Sequence, residues 1–64
     1  MKYRDVIELI RKDGWYHERT EGSHLQFRHP TKPGTVTVSC GGKLGRDVPP
    51  GTLNSIKKQA GLKL

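Results

Sequence analysis

Nine consecutive residues, Gly22-Ser23-His24-Leu25-Gln26-Phe27-Arg28-His29-Pro30, constrain this chain more than any others. They open on a glycine, alternate polar and apolar side chains, and close on a proline. In a β-strand successive side chains face opposite sides of the sheet. Leu25 and Phe27 then point into a core, while His24, Gln26 and Arg28 line the wet face. Glu21-Gly22 reads as a two-residue hairpin connection, with glycine supplying positive φ. The strand it feeds covers roughly Ser23 to His29, and Pro30 ends it by removing a donor and restricting His29 to extended geometry.

The flanking segments fit around this strand. Residues 2–12 carry Tyr3, Val6, Ile7 and Ile10 on one stripe at helical spacing, with charged residues opposite. Asp13-Gly14 ends that helix. Trp15 to Thr20 reads as a first strand anchored by Trp15, with Tyr16 alternating onto the wet face. Thr31-Lys32-Pro33-Gly34 suits a type II turn. Thr35 to Ser39 is a third strand, with Val36 and Val38 facing the core beside Leu25 and Phe27. Cys40 to Gly51 is rich in glycine and proline and reads as a flexible connection carrying Lys43 and Arg46. Pro50 fits the first turn of a second helix running to about Ala60, where Gly61 is a cap signal. The expected fold is α+β: α-β-β-β-α, a three-stranded antiparallel sheet with two helices on one face, because one face of such a sheet must be covered.

Sixty-four residues read as a single domain spanning 1–64, too short for a deep pocket or an elaborate cofactor site. The lone Cys40 cannot form an internal disulfide, and no cluster of cysteines or carboxylates suits a metal, so no cofactor or metal is expected. No run approaches a membrane span and no signal-peptide core is present, so the expectation is a soluble, cytoplasmic protein. The charge is unevenly placed. Residues 1–21 hold five acids and five bases, whereas beyond Glu21 seven bases face the single acid Asp47. The entire excess of +6 lies past the hairpin turn, which favours a polyanionic partner such as nucleic acid or an acidic protein.

Several segments together resemble the HicA toxin family of bacterial and archaeal toxin–antitoxin systems. They are Asp13-Gly14-Trp15, the Gly22–Phe27 run, His29-Pro30-Thr31-Lys32-Pro33-Gly34, Val36-Thr37-Val38, and Pro49 through Leu62 (P-P-G-T-L-N-S-I-K-K-Q-A-G-L). They follow the family's order over almost the whole chain. The resemblance implies a double-stranded-RNA-binding-domain-like fold, in agreement with the pattern above. It also implies an mRNA interferase that cleaves RNA and arrests translation, with a HicB-like antitoxin as its neutralising partner. The family's catalytic histidine, that of the G-S-H turn, maps to His24. The chain departs from the family at Ser39-Cys40-Gly41-Gly42, which replaces a proline- and histidine-rich segment, and at Lys57, where a leucine is common.

Ribonuclease chemistry agrees with these residue types. RNA carries its own nucleophile, the 2′-hydroxyl, so an enzyme without a metal needs proton transfer and charge stabilisation. Histidine suits the first because it titrates near neutrality; Arg and Lys suit the second. His24 is therefore the expected general base or acid. Arg28 and Lys32 are expected to hold phosphate, and Lys43, Arg46, Lys57 and Lys58 to contact RNA more widely. Ser23, Gln26 and Thr37 are expected to orient His24 or the ribose. No second proton-transfer group is identified, since alternation sets His29 on the opposite side from His24 and His17 is no better placed. The competing expectation is a non-catalytic double-stranded-RNA-binding module, which would use the same lysines but has no need of His24.

Overall fold

The computed structural model describes residues 1–62; Lys63, counted above in the basic excess, lies outside the described residues. Five elements follow in order: α1 (Tyr3–Lys12), β1 (Tyr16–Glu21), β2 (His24–Arg28), β3 (Val36–Ser39) and α2 (Pro50–Ala60). The strands form one antiparallel sheet in the order β1-β2-β3. This is the expected α-β-β-β-α arrangement. Tyr3, Val6 and Ile10 from α1 and Ile56 and Ala60 from α2 join Phe27, Val36 and Val38 in one buried cluster, with Trp15, Cys40 and Val48. Both helices therefore cover the same sheet face. Leu25 and Phe27 turn toward it, and His24 and Arg28 are exposed on the other.

The register corrects the hairpin. The two-residue connection is Gly22-Ser23, and Glu21 remains in β1 as the cross-strand partner of His24. The pairing also shifts between His17 and Arg19, so that His17 lies opposite Phe27 while Arg19 lies opposite Gln26. Such a bulge inserts one residue and reverses the alternation beyond it. Strict alternation from Trp15 would send Arg19 and Glu21 to the core side. The bulge at Glu18 instead delivers both to the face that carries His24. It also sets His17 and Thr20 on the same side, where their ring nitrogen Nε2 and hydroxyl lie 2.8 Å apart. Trp15 lies one residue ahead of β1, buried, and Thr35 one residue ahead of β3.

The loop between β3 and α2 is not a loose connection. The first backbone N–H groups of a helix lack partners within it. Here Tyr3 donates to the Arg46 carbonyl at 2.9 Å and Arg4 to that of Leu44 at 3.1 Å. Val48 donates to the Met1 carbonyl at 2.8 Å, and Lys2 bridges with Asp47. The loop caps α1, and Val48 is buried beneath it. Composition could not reveal this, because the capping groups are backbone carbonyls.

Candidate functional site

The open sheet face is built in three rows. At one end Tyr16 faces Arg28; in the middle Arg19, Gln26 and Thr37 align; at the hairpin end Glu21, His24 and Ser39 align. The hydrogen-bond pattern settles how closely the last row packs. The Thr37 N–H points away from β2, donating to Gln59 Oε1 of α2 at 3.0 Å. The Gln26–Thr37 pair is therefore non-hydrogen-bonded, and so, two residues on, is His24–Ser39. Pairs of this kind bring side chains closest, with Cα atoms about 4.5 Å apart. By the same alternation Glu21 and His24 form the hydrogen-bonded pair that closes the hairpin. The Glu21 carboxylate is held by Arg19 Nε at 2.7 Å. In the middle row the Thr37 hydroxyl donates to Gln26 Oε1 at 2.7 Å. These two residues, expected to orient His24, bond to each other one row away from it.

The expected cations are dispersed. Arg28 is on the His24 face but four residues along the strand, about 13 Å away at about 3.3 Å per residue. Lys32 is drawn off the face altogether. Its ammonium binds Asp13 Oδ2 at the end of α1 and donates to the Ala60 carbonyl at the end of α2, 3.2 Å away. Lys57 is half-buried on α2, and Lys58 lines a shallow recess with Trp15 and Lys32. Only Lys43 and Arg46, of the six expected cations, line the cleft of about 500 Å³ beside Ser23 and Ser39. Tyr3 and Asp47 are also among its walls. Past Ser39 the surface continues into a second recess of about 420 Å³ between β3 and α2, lined by Thr52, Ser55 and Gln59.

The other two histidines occupy structural positions. His29 accepts backbone N–H groups from Thr31 and Lys32 at Nδ1, at 3.1 and 3.0 Å. The network thereby assigns the ring proton to Nε2, which donates to the Asp13 carbonyl at 2.7 Å. The ring also meets Trp15 edge-on, at 5.2 Å between centroids. His17 packs edge-on against Phe27, at 5.7 Å. His24 is the histidine on the open face.

Compared with known proteins, residues 3–62 match the family described as the HicA toxin of bacterial toxin–antitoxin systems. The chain belongs to the HicA toxin family. The match takes in all five elements and both recesses. Members of this HicA family are generally RNase toxins, which sets this chain in the context of a toxin with a cognate antitoxin and RNA as the general substrate. A comparison with curated proteins returns no match. No helix among the described residues is long and apolar enough to cross a membrane.

Sequence reasoning named His24, Ser23, Gln26 and Thr37 but missed Arg19 and Glu21. A signal for them was present. Counting back from the turn puts Glu21 on the His24 side, whereas counting forward from the buried Trp15 puts it on the other. Both counts hold only if β1 contains a bulge.

Proposed function

We propose that this HicA-family chain is a metal-independent endoribonuclease that cleaves mRNA, with His24 as its proton-transfer group and a HicB-like antitoxin as its inhibitor. The observation that carries this reading is the position of His24, exposed on the uncovered face at the hairpin end within a family match over residues 3–62. The reaction needs no outside nucleophile. His24 removes the 2′-hydroxyl proton, O2′ bonds to phosphorus, the P–O5′ bond breaks, the 5′-oxygen takes a proton from solvent water, and His24 gives its own proton back to solvent. The products are a 2′,3′-cyclic phosphate and a 5′-hydroxyl. Ser39, the cross-strand partner of His24, would orient the ring or the ribose. Glu21, absent from the sequence-level candidates, is the nearest carboxylate across the hairpin.

The test compares wild type with His24→Ala, purified free of host nucleases, on an RNA substrate and by induction in cells. The variant is expected to keep the fold by circular dichroism and to lose cleavage and growth arrest. General acid–base catalysis typically contributes about 10²–10⁴-fold, so residual cleavage within tenfold of wild type refutes the assignment. Wild type that binds RNA and never cleaves it would instead identify a binding module. Cleavage in EDTA is expected at the rate seen without it; loss of activity on chelation, restored by a divalent ion, would replace this mechanism.

A further inference from the structure

The cleft that Lys43 and Arg46 share with Ser23 and Ser39 adjoins His24 on two sides, through the preceding residue in the chain and the facing residue on β3. Two further features equip it for a phosphate. By strand alternation the Ser39 N–H points outward from the edge of β3, as the Thr37 N–H does toward Gln59, and Ser39 lines the cleft, which adds a neutral donor. The cations sit on a loop whose backbone is fixed by its hydrogen bonds to the start of α1, so they line the cleft from an anchored segment and not a loose one. The one acid in the wall, Asp47, bridges with Lys2 through its backbone alone, so its carboxylate offsets one of the two cations and the cleft stays basic by a single charge. The cleft shares Tyr3 and Ser39 with the recess between β3 and α2, whose lining of Thr52, Ser55 and Gln59 carries hydroxyls and an amide without further charge, Gln59 already joining the Thr37 N–H to the Ser55 hydroxyl. A charged recess next to the reacting group, followed by a neutral hydrogen-bonding recess, matches a phosphate and the nucleoside attached to it.

We propose that RNA binds as a single strand running along the free edge of β3, with Lys43 and Arg46 holding a phosphate beside His24 and the β3–α2 recess receiving the adjoining nucleoside. This deepens the ribonuclease reading and rests on it. It departs from the double-stranded mode suggested by the fold, in which the lysines of α2 would carry the backbone. Sequence-specific proteins commonly take unpaired RNA, because only unstacked bases expose their edges.

The experiment uses the full chain carrying His24→Ala, so that the probe survives, and a fluorescent RNA decamer presented single-stranded or as a blunt duplex. Lys43→Ala/Arg46→Ala is expected to weaken single-strand binding by roughly tenfold or more, as loss of charge-assisted contacts implies. Lys57→Ala/Lys58→Ala is expected to change it less than about twofold, and the single strand is expected to bind more tightly than the duplex. Lys43, Arg46 and Lys58 are exposed and Lys57 is half-buried, and circular dichroism checks that each variant is folded. Unchanged binding by the Lys43/Arg46 variant overturns the proposal. So does tighter duplex binding that depends on Lys57 and Lys58. Loss of antitoxin binding with RNA binding intact would make the cleft a protein-docking surface and equally overturn it. Cleavage is measured separately, with His24 restored. A wild-type chain that binds in this cleft and does not cut refutes the ribonuclease reading, whereas one that cuts with Lys43 and Arg46 removed refutes the cleft.

Discussion

Gly14 and His29 are fitted to one another. Gly14 has φ of +110°, and a Cβ built there would fall 2.6 Å from His29 Nε2. Two penalties therefore oppose Gly14→Ala: a backbone conformation that side chains avoid, and a clash with a ring fixed by hydrogen bonds at both nitrogens. The expected loss is about 1–3 kcal/mol, read as a lower urea midpoint with an unchanged m-value. If the clash matters, the cost shrinks when His29→Ala is already present, a coupling that a double-mutant cycle measures. The D-G-W and H-P segments were legible in the sequence as separate turns, but their contact was not, because sixteen residues separate Asp13 from His29. Likewise His24 was legible from alternation near the turn, while Glu21 showed only in the conflict between the two counts along β1, because no single residue type announces the bulge.

At the level of elements, Lys32 joins the ends of both helices, and the sequence reading of it as a phosphate ligand missed this. Its ammonium beside Asp13 holds that carboxyl below its ordinary range, with burial opposing the shift and Trp15 Nε1, donating at 3.2 Å, adding to it. A carboxylate with a depressed folded pKa binds fewer protons in the folded state than in the unfolded one. Its stabilising contribution is complete above its unfolded pKa of about 3.9 and is lost as pH falls through the lower folded value. Thermal unfolding followed from neutral pH to below 3 is expected to show wild type losing more stability than Asp13→Asn across that acid window. Lys32→Ala is expected to lower the midpoint at neutral pH while the folded fraction cleaves RNA normally. A cleavage defect with an unchanged midpoint would return Lys32 to the substrate. The helices, strands and core stripes that this clasp fastens were legible, because each rests on a local period of apolar residues. The clasp itself depends on which loop lysine reaches which helix end, and that is fixed only by the assembled fold.

Across the whole molecule, net charge and local geometry predict different salt dependence, and the difference separates a basic surface from a built site. The excess of +6 invites the view that every cation beyond the hairpin draws RNA. The structure instead ties Lys32 to Asp13, sets Arg28 at the far end of β2, and gathers Lys43 and Arg46 at one cleft. For single-stranded nucleic acid, log Kobs falls against log salt with a slope of about −0.7 per neutralised phosphate. One phosphate held by the two cleft cations gives a slope of about −0.7, whereas six expected cations each neutralising a phosphate would give about −4. Titrating the labelled decamer with the His24→Ala protein over roughly 50 to 200 mM salt distinguishes these values. A shallow slope that approaches zero in the Lys43/Arg46 double variant is the expected result. A steep slope that barely changes when those two are removed would mean that RNA is held by the diffuse field of the molecule, leaving His24 to act wherever a strand happens to lie.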